Sequence, residues 1–216
     1  ARWNGKDDDG DPKLPSSALD ELMQLRGLQH VKNIALELHT RVMAEKKLPK
    51  AMRVKTSLNF SLMGNPGTGK TKVARLVARM LHSLGLLRKG QLVEVTRKDL
   101  IGPHHGETAQ LTADACKRAL GGVLFIDEAY ALRHEGSSDS AGQECVNTLV
   151  KESEDRAGEL VIILAGYHKE MTTFLNTNSG LTSRFPNVFA FADYSFDEMA
   201  EICRNITVSR GFELAG

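Results

Sequence analysis

The residues best placed to do chemistry stand in the run GNPGTGKT at 64–71. Its Gly-x-x-x-x-Gly-Lys-Thr spacing is that of a loop that wraps phosphates. Gly64, Gly67 and Gly69 let the backbone curl until successive N–H groups point at one anion, and a helix starting at the loop's end adds the positive end of its dipole. Asn65, Pro66, Gly67, Thr68, Gly69, Lys70 and Thr71 are therefore the expected nucleotide-binding residues. Lys70 would reach the β- and γ-phosphates, and the Thr71 hydroxyl would ligate Mg²⁺. In a second run, GGVLFIDEAYAL at 121–132, four apolar residues lead into Asp127 and Glu128. A carboxylate pair at the carboxyl end of a central strand lies beside the first loop, where open α/β sheets place their ligands. Asp127 would hold Mg²⁺ through water, since that ion keeps part of its hydration shell. Glu128 would orient and polarise the attacking water as general base. A glutamate directly after the metal-binding aspartate suits an acceptor that is water rather than a bound hydroxyl. The pair therefore predicts an NTP-hydrolysing site.

Such a site needs a rigid frame, and the hydrophobic pattern supplies one. Short apolar runs at 58–63, 92–95, 123–126, 160–165 and 188–191 alternate with segments of helical period. One of these, with Val73, Leu76, Val77, Met80, Leu81 and Leu84 opposed by Lys72, Arg75 and Arg79, follows the phosphate loop directly. Near-continuous apolar strands separated by helices predict a parallel sheet buried on both faces, an α/β fold of three α/β/α layers with five strands. Upstream, Ser17 and Asp20 form a capping box, and Leu22, Leu25, Leu28, Val31, Ala35, Leu38 and Val42 continue an amphipathic helix that fades near Pro49. After Asp193 a last helix carries Met199, Ile202, Cys203 and Ile206 on one face. Residues 1–16, acidic with Gly and Pro, read as a flexible lead-in.

Composition limits the function. The chain has 216 residues, with 28 Lys plus Arg against 27 Asp plus Glu, a formal net charge of +1. That balance argues against a strongly basic nucleic-acid binder. No apolar run approaches the roughly 18 residues of a membrane helix, and the start shows no signal-peptide succession. Cys116, Cys145 and Cys203 are few and far apart, which predicts three core thiols in a soluble protein of a reducing compartment, be it cytoplasm, nucleus or plastid stroma. The seven histidines show no ligand spacing, so no structural metal is expected.

The ordered set LRGLQHVKN, GNPGTGKT, LVEVTRKDLIG, GGVLFIDEAYAL, LVIILAGYHKEM, GLTSRFPN and FADYS resembles the AAA+ ATPases of the CbxX/CfqX family. That family includes red-type Rubisco activases and the stage V sporulation protein K group. The likeness runs from about residue 22 to residue 201. It implies a P-loop sandwich with ATP and Mg²⁺ as cofactors, over 17–194, and a helical lid begun at 195–216 and cut short. Gly27 and Leu28 match the loop that cradles adenine. Arg184 matches the arginine finger that reaches a neighbouring subunit's nucleotide. Thr96 matches the polar position that can hold the catalytic glutamate inactive. Tyr167 stands where many relatives carry a sensor Asn or Thr, leaving open whether it or His168 senses phosphate.

The same resemblance implies a homo- or hetero-hexamer that remodels a protein client, with Rubisco as one candidate. Two departures temper this picture. Where activases carry an aromatic-aliphatic pair in a pore loop, His104 and His105 stand here, smaller and titratable near neutrality. The short lid predicts that residues 1–216 alone are monomeric and weakly active. The alternative is a nucleotide-switched assembly or scaffold module with weak hydrolysis.

Overall fold

A computed structural model describes residues 17–47, 57–104, 106–133 and 139–210. The proposed lead-in, the Ser17 side chain, His105 and residues 211–216 lie outside the described parts. In chain order the elements are α1 (Ser17–Gln24), α2 (Gln29–Lys47), β1 (Phe60–Met63), α3 (Lys70–Ser83), β2 (Leu92–Val95), α4 (Arg97–Leu100), α5 (Glu107–Arg118), β3 (Val123–Ile126), a 3-10 turn (Ala129–Leu132), α6 (Ser140–Asp155), β4 (Val161–Gly166), α7 (His168–Asn176), α8 (Ser179–Arg184), β5 (Asn187–Ala190) and α9 (Phe196–Ser209).

The five strands form one sheet in the order β2-β3-β4-β1-β5, and every pairing is parallel. Alternation along each strand divides the core in two. Phe60 and Leu62, Val123 and Phe125, and Val161, Ile163 and Ala165 face α1, α2 and α3. Met63, Leu124 and Ile126, and Ile162 and Leu164 face the opposite layer, built from α5, α6, α7 and α8. Because both faces are covered, the central strands read as unbroken apolar runs. Asn59, at the foot of β1, is one of the few buried polar residues, and its Oδ1 accepts from the Ile162 N–H at 2.8 Å.

Two expectations need correction. The amphipathic run from Ser17 to Val42 is two helices, because Gly27 (φ 60°) and Leu28 (φ 57°) are both left-handed and break it between α1 and α2. Asp127 follows β3, which is separated from β1 by β4 in the sheet. Cys116 and Cys145 are buried as expected, but Cys203 is exposed on α9. That helix turns Phe196, Met199 and Ile206 outward as well. Among the described residues no helix is long and apolar enough to cross a membrane.

Candidate nucleotide site

The phosphate loop leaves β1 at its carboxyl end, pinned where the Gly64 N–H donates to the Gly166 carbonyl at 3.0 Å. Gly67 (φ 77°) and Gly69 (φ 94°) sit in the left-handed region, as the curl requires. Thr68 is buried, and its hydroxyl donates to the Asn65 carbonyl at 2.7 Å. Lys70 opens α3, and its ammonium donates to the carbonyls of Gly64 and Asn65 at 2.7 and 2.8 Å. Burial lowers the Lys70 pKa, and the negative charge of Asp127 partly opposes that shift. The loop is thus already wound, with its lysine held over its own carbonyls.

Gly64 is fixed by packing. A Cβ there would lie 2.6 Å from Phe191 Cβ and 2.7 Å from the Phe191 carbonyl oxygen, a backbone atom that cannot step aside. Gly64→Ala is expected to destabilise the fold by about 1–3 kcal/mol, the usual cost of overpacking. Thermal unfolding checks this, and a melting temperature equal to the parent's would contradict it.

The carboxylates enter from β3. The Asp127 N–H continues the ladder to the Val95 carbonyl at 3.1 Å, and Asp127 Oδ1 accepts from the Glu128 N–H at 3.0 Å. Glu128 has φ 49°, a left-handed conformation rare for a side-chain-bearing residue and costing about 1–3 kcal/mol. The chain turns there into the 3-10 segment, leaving the Glu128 side chain at the strand's open end.

A cleft of about 260 Å³ joins both motifs, lined by Pro66, Gly67, Gly69, Lys70, Thr71, Asp127, Glu128, Tyr130, Gly166 and Tyr167. The strand between the motifs does not separate them, because β4 ends at Gly166, whose small residue forms the cleft's floor. A hydroxyl and a carboxylate, from Thr71 and Asp127, are too few donors for an all-protein cage. They suit a hydrated Mg²⁺ that draws its other ligands from water and phosphate.

The far wall is aromatic. Tyr130 and Tyr167 stack with centroids 5.6 Å apart and planes at 28°. A Cβ on Gly166 would sit 2.7 Å from the Tyr130 ring, so the glycine is what admits it. Burial, and then the charge of Glu128, push the Tyr130 phenol up to about 12, keeping it a proton donor. Sequence reasoning singled out Tyr167 and missed Tyr130, although both follow strand ends.

Other expected site residues are distributed more widely. Thr96 follows β2 beside Asp127, but its hydroxyl donates to Asp99 Oδ2 at 3.0 Å, within the capping box of α4. His104 is exposed, and its carbonyl accepts from the Glu107 N–H at 3.3 Å. Gly27 packs under the start of α9, since a Cβ there would meet Glu198 Oε1 at 2.7 Å and the Tyr194 ring at 3.3 Å. Arg26 pairs with Glu201 on the same helix.

Arg184 lies at the opposite, amino-terminal end of the strands. Its carbonyl accepts from Ser57 Oγ at 2.6 Å and Asn59 Nδ2 at 3.1 Å, both at the amino end of β1. Its guanidinium donates to Glu154 at 2.6 Å. Among the described residues no group of three or more His, Cys, Asp or Glu converges as a metal site.

Comparison with known proteins follows the same lines. The profile of the family described as "ATPase family associated with various cellular activities (AAA)" matches residues 60–192. Stage V sporulation protein K of Bacillus subtilis is 42% identical over 197 residues, covering 90% of this chain and 61% of its own length. Protein CbbX of Cereibacter sphaeroides is 42% identical over 200 residues, covering 91% of this chain and 64% of its own. ESX-1 secretion system protein EccA1 of Mycobacterium tuberculosis is 42% identical over 207 residues, 94% of this chain and 36% of its own. The chain therefore spans less than two thirds of each of these relatives. Among solved structures, the FIGL-1 AAA domain in complex with ADP superposes with a TM-score of 0.51 at 22% identity, covering 71% of this chain and 49% of that one. That likeness speaks for the fold alone. With the profile covering the sheet, the phosphate loop and the carboxylate pair together, the chain belongs to the AAA family of ATPases and resembles, within it, the CbxX/CfqX-type proteins.

Proposed function

We propose that this chain binds ATP with Mg²⁺, hydrolyses it, and in an assembly of copies uses the cycle to remodel a protein client. The observation that carries the reading is the single cleft in which Lys70, Thr71, Asp127 and Glu128 all stand. ATP phosphates entering the loop would take over the Lys70 ammonium from the Gly64 and Asn65 carbonyls. Mg²⁺ held by Thr71 and, through water, by Asp127 would neutralise charge on the phosphate oxygens. Glu128 would accept the proton of the attacking water, and the loop N–H groups would hold the phosphate oxygens. The Tyr130–Tyr167 wall would shield that side of the cleft, and Tyr167 or His168 would feel the terminal phosphate. Gly27 and Leu28 would face the adenine.

Arg184 stands too far from its own phosphate loop to serve it, which supports a finger acting on a neighbouring copy, in a hexamer by the family likeness. Rubisco enters as a candidate client through the likeness to red-type activases. His104 and His105 would occupy the client-gripping positions.

Lys70→Ala tests the core of this reading. A charge-assisted hydrogen bond is worth about 1.5–3 kcal/mol, so nucleotide affinity should fall roughly 10- to 100-fold. The fold should persist, because the ammonium bonds only to loop carbonyls. Calorimetric titration with ATP checks it, and unchanged affinity would remove the phosphate-loop assignment.

A further inference from the structure

The segment that follows β5 touches the phosphate loop at several points, and no role assigned above uses it. The Phe191 N–H donates to the Met63 carbonyl at 2.8 Å, extending the β5–β1 pairing to the root of the loop. Phe191 then lies directly against Gly64. Two residues on, both carboxylate oxygens of Asp193 accept from Asn65 Nδ2, each at 2.9 Å. The Tyr194 hydroxyl donates to the Thr68 carbonyl at 3.0 Å. A Cβ on Gly69 would sit 3.6 Å from that same hydroxyl. The ring edge of Tyr194 meets Gly27, the left-handed turn between α1 and α2.

These contacts answer a physical need. The loop's N–H groups must point inward at an anion, so its carbonyls and side chains are turned outward and need partners of their own. Within the loop, the Asn65 carbonyl is satisfied by Thr68 Oγ1 and by Lys70. The lysine contact has to be surrendered when phosphate arrives. The bonds from Asp193 and Tyr194 do not involve Lys70 and survive that exchange. Asp193 also takes up the Asn65 amide on the outer side, which keeps the amide from folding into the space the phosphates need. Burial, with the charge of Glu198 adding to it, raises the Tyr194 pKa, so the phenol stays protonated and continues to donate.

We propose that Asp193 and Tyr194 are positioning residues for nucleotide binding: together they hold the phosphate loop in its anion-accepting curl, and Tyr194 ties that loop to the Gly27 turn on the base side. The inference rests on the nucleotide-site reading above and adds two residues to it. Neither touches the reacting atoms. They act on affinity by removing the cost of ordering the loop, which is the effect expected of preorganisation.

The test uses the full chain, with Mg-ADP and Mg-ATP titrated calorimetrically into the parent and into Asp193→Ala, Asp193→Asn, Tyr194→Phe and Lys70→Ala. Each lost hydrogen bond should weaken binding by about three- to tenfold. Asp193→Ala and Tyr194→Phe should therefore lower affinity for ADP and ATP by the same factor, because both nucleotides use the same loop. In turnover the loss should fall on KM rather than kcat, the signature of an interaction made equally in ground and transition states. Asp193→Asn keeps an acceptor for the Asn65 amide and should recover most of the parent's affinity, which a general loss of stability would not allow. Tyr194→Phe removes one oxygen and nothing else, so it reports even where Asp193→Ala folds poorly. Parental affinity in both Asp193→Ala and Tyr194→Phe, while Lys70→Ala binds poorly, would overturn this inference and leave the site reading standing. Asp193→Asn as weak as Asp193→Ala would overturn it too, since charge and not geometry would then be at work. A parent chain that binds neither nucleotide would overturn both.

Discussion

Arg184→Ala should slow ATP turnover by about 10³-fold or more in the assembled protein and leave nucleotide affinity nearly unchanged. The reason is positional. Ser57 and Asn59 hold the Arg184 carbonyl at the amino end of β1, while the phosphate loop leaves the carboxyl end. A four-residue strand alone spans roughly 13 Å, so Arg184 is anchored at the wrong end of the sheet for its own cleft. In the proposed assembly it would serve a cleft belonging to another copy, where a planar and permanently charged group would meet the γ-phosphate. The fold should tolerate the change. The pair with Glu154 is 35% exposed on the arginine side and 62% on the glutamate side, and such pairs contribute about 0–1 kcal/mol. The structural role at this position belongs to the carbonyl, which alanine keeps. Phosphate release should be measured across protein concentration, because the defect appears only where copies associate. Mixing Arg184→Ala with Lys70→Ala should return part of the activity, since some interfaces then pair an intact finger with an intact phosphate loop. Parental turnover by Arg184→Ala at assembling concentrations would end the finger assignment.

The chemistry of this chain is written locally and its geometry is not, and the contrast is visible in particular residues. The phosphate loop and the Asp127–Glu128 pair each occupy a few consecutive positions, so residue type and spacing suffice to find them. Strand periodicity likewise exposes the sheet, because Val123–Ile126 and Val161–Gly166 are buried on both faces. The order of the strands does not follow from periodicity. That β4 lies between β1 and β3 decides that Gly166 floors the cleft and Tyr130 and Tyr167 wall it. The break at Gly27 and Leu28 is hidden for a related reason. Apolar spacing runs on through it, and only the docking of Tyr194 and Glu198 shows why the chain turns there. Asp193 and Asn65 are 128 positions apart, and nothing near either residue announces the other. Cys203 shows the reverse error. A helical apolar stripe predicts burial only if something covers it, and α9 turns its Phe196 outward at 88% exposure.

Glu128→Gln should bind ATP and fail to split it, with turnover reduced by about 10²- to 10⁴-fold, the range of a positioned general base. The substitution is nearly isosteric, so the backbone turn at φ 49° and the hydrogen bond from the residue 128 N–H to Asp127 Oδ1 are both retained. What is lost is the capacity to take a proton from water. Binding should survive for an electrostatic reason as well. Removing one negative charge from a cleft that receives phosphates lowers the repulsion they meet, so affinity holds or tightens. The same change has a spectroscopic consequence independent of catalysis. The charge of Glu128 is the second cause, after burial, of the Tyr130 phenol being pushed up to about 12. With glutamine at 128 that contribution disappears, and the Tyr130 titration should move down toward the ordinary tyrosine value. Ultraviolet titration of the parent and of Glu128→Gln, each with its Tyr130→Phe counterpart subtracted, assigns the shift. Equilibrium ATP binding, single-turnover phosphate release and this titration separate three outcomes. Lost turnover with binding kept and Tyr130 lowered places the carboxylate in the cleft as the proton acceptor. Lost turnover with lost binding would mean that the substitution disturbed the phosphate loop through Asp127. Normal turnover would require another base in a cleft whose remaining carboxylate, Asp127, is the proposed Mg²⁺ holder, and the assignment of Glu128 would fall.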